Sequence, residues 1–401
     1  MAMCVPTIAV VAASSTSSAS VAGADADCVM PDVVVIGAGI AGAATTWSLA
    51  RRARSVLLVD RFARGHDRGS SHGAERIFRF GYTDPAYVAL ALESVAGWHD
   101  LQARAGGPLL HATGAIDHGD VSELVAVEAA CAAAGVRVEM LSAVEAASRW
   151  RGMRFDGPVL HQPDGGRVDA DRTLQACWDQ AADAGAEIRF DAPVGAVRRA
   201  GSGVEVVVGG DVVTARVAVV TAAGWSGGLL EPGVAERLVP PITVTAETVG
   251  FFRPAVGPWP SFIRRGVPLG YGLGAPDGLV KAGLHGTGPV IDPDDRPSQV
   301  PDAVEAIEAF VREWLPGVAP RALRSTVCLY ASSATDDFVL DRDGPIVVGV
   351  GFGGHGFKFT PAIGERLADL TDEALGLHAS GARPFAAARL AGITGQPHSW
   401  R

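Results

Sequence analysis

Apolar and polar positions alternate along this chain in two rhythms. Residues 32–36 close on Val33-Val34-Val35-Ile36, an unbroken apolar run. Such a run predicts a parallel strand buried on both faces. A glycine turn follows, then a helical pattern over 41–52 and a second strand over 55–59 that ends at Asp60. This is a β-α-β unit of the usual length. Helical spacing returns over 87–105, 171–184, 303–314 and 364–375. Residues 114–150 read as a short strand followed by helices rich in Ala and Val. Strands are predicted at 188–190 and Ile346–Val350, with a hairpin from 204–208 and 212–220. Residues 240–254 and 279–284 alternate as antiparallel strands do.

A nicotinamide dehydrogenase would continue with further β-α-β units. Here the pattern breaks into a polar stretch, 64–82, and later into antiparallel alternation. The expected fold is therefore α/β with two parts. A Rossmann-type domain is assembled from 30–85, 160–230 and 325–385, and a largely antiparallel β-sheet domain from 86–159 and 231–324. Residues 1–29, rich in Ala, Ser and Val, read as a disordered extension, and 386–401 as a tail. No cationic start precedes the weak apolar run at 8–13, so a secretory signal is not expected.

Composition narrows the function. The chain has 401 residues, 48% of them hydrophobic and 19% charged, which describes a folded protein. A formal net charge of -10 disfavours nucleic acid as a partner. No apolar run reaches the roughly 18 residues of a membrane span. The cysteines stand at 4, 28, 131, 177 and 328. Their odd number and wide spacing match neither a disulfide framework nor a metal knuckle, so a reducing cytoplasm and no metal are expected.

The turn Gly37-Ala38-Gly39-Ile40-Ala41-Gly42 lies between strand and helix, which gives it meaning as a dinucleotide fingerprint. Gly37 permits the tight turn, Gly39 lets backbone approach a pyrophosphate, and Gly42 lets helix and strand pack. Asp60, at the end of the second strand, suits a ribose hydroxyl.

Other motifs leave two readings each. Cys328 is a buried core thiol or a tether for an electron-poor ring. Lys281 is a solvated strand lysine or a cation fixed in a site, with His285 four positions on. Arg79 and Lys358 are surface cations or a clamp for a carboxylate. Tyr271 and Tyr330 are core tyrosines or cavity walls. Gly224-Trp225-Ser226-Gly227-Gly228 matches the nucleophile elbow of serine hydrolases, with Ser226 as nucleophile. The run Gly351 to Gly356 is followed by Phe357 rather than Lys, which does not support a P-loop.

Taken together, residues 30–385 resemble the D-amino-acid-oxidase-like flavoproteins, and within them the monomeric sarcosine oxidase and N-methyltryptophan oxidase branch. The resemblance is carried by Gly37–Gly42, Gly69-Ser70-Ser71-His72-Gly73 with Arg76 and Arg79, and Lys281 with His285. Cys328-Leu329-Tyr330 and Gly354-His355-Gly356-Phe357-Lys358-Phe359 complete it. It implies FAD held by Gly37, Gly39, Gly42, Asp60, Ser71, His72, Gly354, Gly356 and Phe357, with a thioether from Cys328 to its 8α-methyl carbon. It further implies that Arg79 and Lys358 bind a substrate carboxylate. Arg76, Lys281, His285, Tyr271 and Tyr330 would surround the reaction. The implied activity is oxidation of a secondary amine or N-methyl amino acid to an imine, with O2 reduced to H2O2, by a monomer. Leu329 after Cys328, the single histidine of Ser71-His72 and Glu75 before Arg76 depart from the branch pattern. They open the alternatives of a cyclic or aromatic amine and of a dehydrogenase that uses a carrier.

Overall fold

The structure is a computed structural model that describes residues 30–378 and 381–390. The expected N-terminal extension, Cys4, Cys28 and the tail beyond residue 390 lie outside the described residues.

The first apolar run forms strand Val33–Ile36 at the interior of a six-stranded sheet. Val56–Val59 pairs on one side of it and Val217–Val220 on the other, both parallel. Glu187–Arg189 and Ile346–Val350 extend the parallel array, and Val339–Asp343 closes one edge antiparallel. The run is apolar throughout because both faces are covered. Val33 and Val35 face a core shared with helices Ile40–Arg51, Ala170–Asp183 and Thr360–Ala374. Val34 and Ile36 face a three-stranded antiparallel sheet, Val194–Ala200, Gly203–Val208 and Asp211–Ala215.

That second layer corrects the hairpin expected over 204–220. Residues 211–215 do pair with 203–208, but the chain then leaves at Arg216 and Val217–Val220 enters the parallel sheet. Side-chain burial explains the split. All four residues of Val217–Val220 are fully enclosed, whereas Val212 is exposed. Strand Val194–Ala200, with Arg198 and Arg199 outward, was not visible in the pattern. Nor was Glu75–Phe78, which pairs with Gly166–Asp169 inside the stretch expected to be a polar loop. The last long helix begins at Thr360, ahead of the expected 364, because Pro361 sits in its first turn, where a missing N–H costs nothing.

The second large sheet has eight strands. Their order is Arg324–Ser332, Thr243–Phe252, Val280–Leu284, Gly270–Gly274, Ser261–Arg264, Ala115–His118, Val159–Gln162 and Glu139–Leu141. All neighbours are antiparallel except Ser261–Arg264 with Ala115–His118. Alternation divides its two faces. Phe252, Phe262, Val280, Ala282 and Leu284 pack on Ile307, Phe310, Val311 and Trp314 of helix Pro301–Trp314. The opposite face carries Glu247, Val249, Tyr271, Leu273, Lys281, Cys328 and Tyr330, and turns toward a cavity. Strand Arg324–Ser332, which holds Cys328, is the edge of this sheet rather than of the six-stranded one. Among the described residues no helix is long and apolar enough to cross a membrane.

Candidate functional site

The cavity runs from the turn after Val33–Ile36 to the inward face of the eight-stranded sheet, and holds roughly 2020 Å³ of empty space, open solvent included. One continuous wall therefore joins the glycine turn to the sheet face.

At one end the glycine turn is sterically forced. Gly37 has φ +96°, and a Cβ there would lie 2.7 Å from the Thr221 carbonyl oxygen. A Cβ on Gly42 would lie 1.9 Å from the Gly37 carbonyl oxygen, so this glycine packs the helix on the turn and does not line the cavity. Gly39 differs. A Cβ there would meet only the Ser71 Oγ, at 3.1 Å, so the backbone is open to a ligand. Helix Ile40–Arg51 carries no acidic residue in its first turn, and its positive end faces the cavity. Ser71 Oγ accepts from the Ile40 N–H at 2.9 Å. Asp60 accepts from the Ala38 N–H at 2.6 Å and the Phe62 N–H at 2.8 Å, and is thereby fixed beside the turn. These features fit a dinucleotide: a bare backbone cradle, a helix N-terminus for phosphate, and a fixed carboxylate.

The loop before strand Glu75–Phe78 forms the next wall. Arg76 donates to the carbonyls of Glu75, Ser70 and His72 at 2.8, 2.8 and 2.6 Å, and its guanidinium lies 5.5 Å from the Phe357 ring centre. It clamps the loop while its charge stays at the cavity. Burial, with Arg76 and Arg296 nearby, pushes the His72 imidazole down to about 4, so it is neutral at physiological pH.

The sheet face brings Cys328, Tyr330, Tyr271 and Lys281 to one surface. Tyr271 and Tyr330 share a hydrogen bond of 3.1 Å between hydroxyls, and burial raises both phenols above their usual range. Lys281 Nζ donates to the Glu75 carbonyl at 3.2 Å and lies 3.3 Å from its carboxylate. Burial and the Arg76 charge lower this ammonium below the usual lysine range, and Glu75 opposes them.

The turn after Ile346–Val350 supplies the last wall. A Cβ on Gly354 would fall 2.2 Å from the Tyr330 ring, so only glycine lets tyrosine and turn meet. Gly356 and Phe357 line the cavity beside it. Lys358 Nζ donates to Tyr82 Oη at 2.9 Å and to the His355 carbonyl at 2.6 Å. His355 Nε2 lies 3.0 Å from the Asp336 carbonyl, which can only accept, so Nε2 carries the proton. Nδ1 then accepts from Tyr82, 3.1 Å away. Burial and the Lys358 charge hold His355 at about 3, neutral as this tautomer requires. Burial, then Arg79, lowers Lys358 well below the usual ammonium range.

Two expected contributors stand off the wall. Arg79 is fully buried with its guanidinium 4.2 Å from the Tyr82 ring centre, and does not line the cavity. His285 follows strand Val280–Leu284, 3.8 Å from the Asp336 carboxylate, with its ring centre 5.5 Å from that of Tyr330. It touches a wall residue without lining the cavity. Ser226 is fully enclosed, does not line the cavity, and its Oγ has no hydrogen-bond partner among the described residues. A nucleophile needs a base and access, so the hydrolase reading fails.

Three wall or support residues escaped the sequence. Tyr82 links Lys358 to His355. Thr221 carries the carbonyl that Gly37 must avoid. Glu247 is a buried acid on the cavity face of strand Thr243–Phe252. Only the last had a legible signal: an acid at an inward position of an alternating apolar strand.

Comparison with known proteins agrees with this geometry. The model of the FAD dependent oxidoreductase family matches residues 32–370. Monomeric sarcosine oxidase of Bacillus sp. strain B-0618 is 30% identical over 361 residues, covering 84% of this chain and 91% of its own. N-methyl-L-tryptophan oxidase of Yersinia pestis strain Pestoides F is 31% identical over 353 residues, covering 83% and 93%. Among solved structures, NikD, an unusual amino acid oxidase essential for nikkomycin biosynthesis, superposes with a TM-score of 0.77 at 28% identity, covering 92% of this chain and 99% of its own.

Proposed function

Because this chain belongs to the FAD dependent oxidoreductase family, we propose that it oxidises the C–N bond of a secondary amine or N-methyl amino acid to an imine and reduces O2 to H2O2. FAD, when bound, supplies the acceptor for the hydride of the carbon next to nitrogen and the electrons for oxygen. The segments 30–85, 160–230 and 325–385 hold it, and 86–159 with 231–324 shape the substrate space. Gly37, Gly39, Ser71 and Asp60 take the phosphate and ribose end. Cys328 would hold the ring end through a thioether at the 8α-methyl carbon, with His72, Gly354, Gly356 and Phe357 around it.

The protein's own part is binding, orientation and charge. Lys358 receives the substrate carboxylate, and the neutral His355–Tyr82 pair orients its ammonium. Arg79 adds positive potential from off the wall. Tyr271 and Tyr330 exclude water and favour an uncharged amine. Lys281 and Arg76 provide fixed cations where negative charge grows, and His285 steadies Tyr330. The odd, scattered cysteines support a reducing cytoplasm, and the Bacillus relative's name supports a monomer.

One observation carries this reading. Cys328, Lys281 and Lys358, from separate segments, line the same cavity that opens at the Gly37–Gly42 turn. The test is aerobic incubation of the yellow protein with sarcosine, N-methyl-L-tryptophan and cyclic secondary amino acids, following peroxide and aldehyde. Turnover with dye but no peroxide in air would replace the oxidase with a dehydrogenase. No turnover of any secondary amine would end the proposal.

A further inference from the structure

The cavity wall carries two carboxylates among the described residues, Asp60 and Glu247. Asp60 belongs to the glycine turn at the far end. Glu247 is left without an assignment, and its setting is unusual. It is 1% exposed, in the middle of strand Thr243–Phe252. It stands opposite Cys328 in the strand register, and its charge bears on Tyr271 and Tyr330, both of which it pushes upward. It therefore shares one face of the sheet with Cys328 and the tyrosine pair.

Its hydrogen bonds do not neutralise it. Oε1 accepts from Thr245 Oγ1 at 2.8 Å and from the Gly288 N–H at 3.2 Å. Oε2 accepts from the Thr287 N–H at 3.3 Å and shares the Gly288 N–H at 3.2 Å. Three hydrogens thus serve about four lone-pair sites. No basic side chain lies within 4 Å of the carboxylate among the described residues, whereas the other acid buried beside the site, Glu75, has Lys281 at 3.3 Å. A buried carboxylate is expensive unless a cation meets it. A Cβ on Gly288 would lie 2.3 Å from the Ala246 carbonyl oxygen, so only glycine fits where these N–H groups are aimed.

We propose that Glu247 is a specificity residue that binds a second, cationic nitrogen of the substrate, distal to its carboxylate. The preferred substrate is then an amino acid whose side chain ends in a protonated amine or guanidine. This rests on the oxidase reading above, since it takes Lys358 as the carboxylate anchor.

The test separates the two. Calorimetric titration of the holoenzyme compares ligand pairs that differ by an ammonium in place of a methyl group: ε-aminohexanoate with heptanoate, and γ-aminobutyrate with pentanoate. A charge-assisted hydrogen bond predicts that one ammonium ligand binds at least about tenfold more tightly than its alkanoate. Glu247→Gln should abolish that preference and Glu247→Asp should retain part of it. Equal or tighter binding of both alkanoates by the wild-type protein overturns the proposal, and this holds even if the variants do not fold. So does a preference unchanged in Glu247→Gln, which would reduce Glu247 to a brace for the turn at 287–288. Sarcosine turnover by the same preparation reports separately. Turnover without ammonium preference sinks only the Glu247 assignment, and preference without turnover of any secondary amine sinks only the oxidase assignment.

Discussion

Replacing Lys358 by methionine tests the carboxylate anchor at its most exacting point. The residue is 3% exposed, and its ammonium is held by Tyr82 Oη at 2.9 Å and the His355 carbonyl at 2.6 Å. Methionine keeps the bulk and removes the charge. One charge-assisted hydrogen bond in a buried site contributes about 1.5–3 kcal/mol, which is about ten- to 150-fold in affinity. The assay is titration of the flavin absorbance with isobutyrate and with isobutyramide. The acid-to-amide ratio should fall by that factor in Lys358→Met, with amide binding little changed. An unchanged ratio would refute the anchor. Proton linkage gives an independent check. Burial lowers the folded-state pKa of Lys358 below the roughly 10.4 of an unfolded lysine. Between those two values the unfolded chain holds a proton that the native protein lacks, so this residue makes stability rise with pH across the window. Lys358→Met should remove that rise and be relatively more stable than wild type at the low end. Carboxylate binding should weaken in the wild type as pH climbs through the lowered lysine pKa, and stay flat in the variant.

Other changes probe the remaining walls. Gly37→Ala forces an L side chain into φ +96° with Cβ 2.7 Å from the Thr221 carbonyl. The backbone alone costs about 1–2 kcal/mol, so both melting temperature and bound flavin should drop; a wild-type melting curve would contradict the turn. Cys328→Ser should release its yellow colour into the supernatant on acid precipitation, whereas the wild-type colour stays with the pellet; release from both would remove the tether. Lys281→Met should slow reoxidation of the reduced protein by O2 about 100-fold, the scale of losing one preorganised electrostatic group, as read by stopped flow. An unchanged reoxidation rate would move Lys281 out of the oxygen step.

Legibility from the sequence followed the range of the forces involved. The strand Val33–Ile36, the glycine turn and the following helix were readable because each depends on neighbours a few residues apart. Helix Pro301–Trp314 announced itself by its apolar stripe. The split at Arg216 was not readable. Valines at 212, 213, 217, 219 and 220 look alike in sequence, and only the partner strands decide which are enclosed. Likewise Arg79 and Lys358 carried the same signal, a basic residue between two phenylalanines. Folding puts Lys358 on the wall and Arg79 off it, against the Tyr82 ring.

By itself, the order of residues determined a dinucleotide turn, a β-α-β start, and a second sheet with one face free to be functional. These are consequences of local sterics and of alternation, which act over a single turn or strand. Tertiary structure alone decided that Cys328, Lys281, Glu247 and Lys358 share a cavity. Strand pairing across Thr243–Phe252 and the close fit of Gly354 on Tyr330 bring them there. Burial then lowers the Lys281 and Lys358 ammoniums, because the cost of a charge depends on which groups surround it and not on its place along the chain.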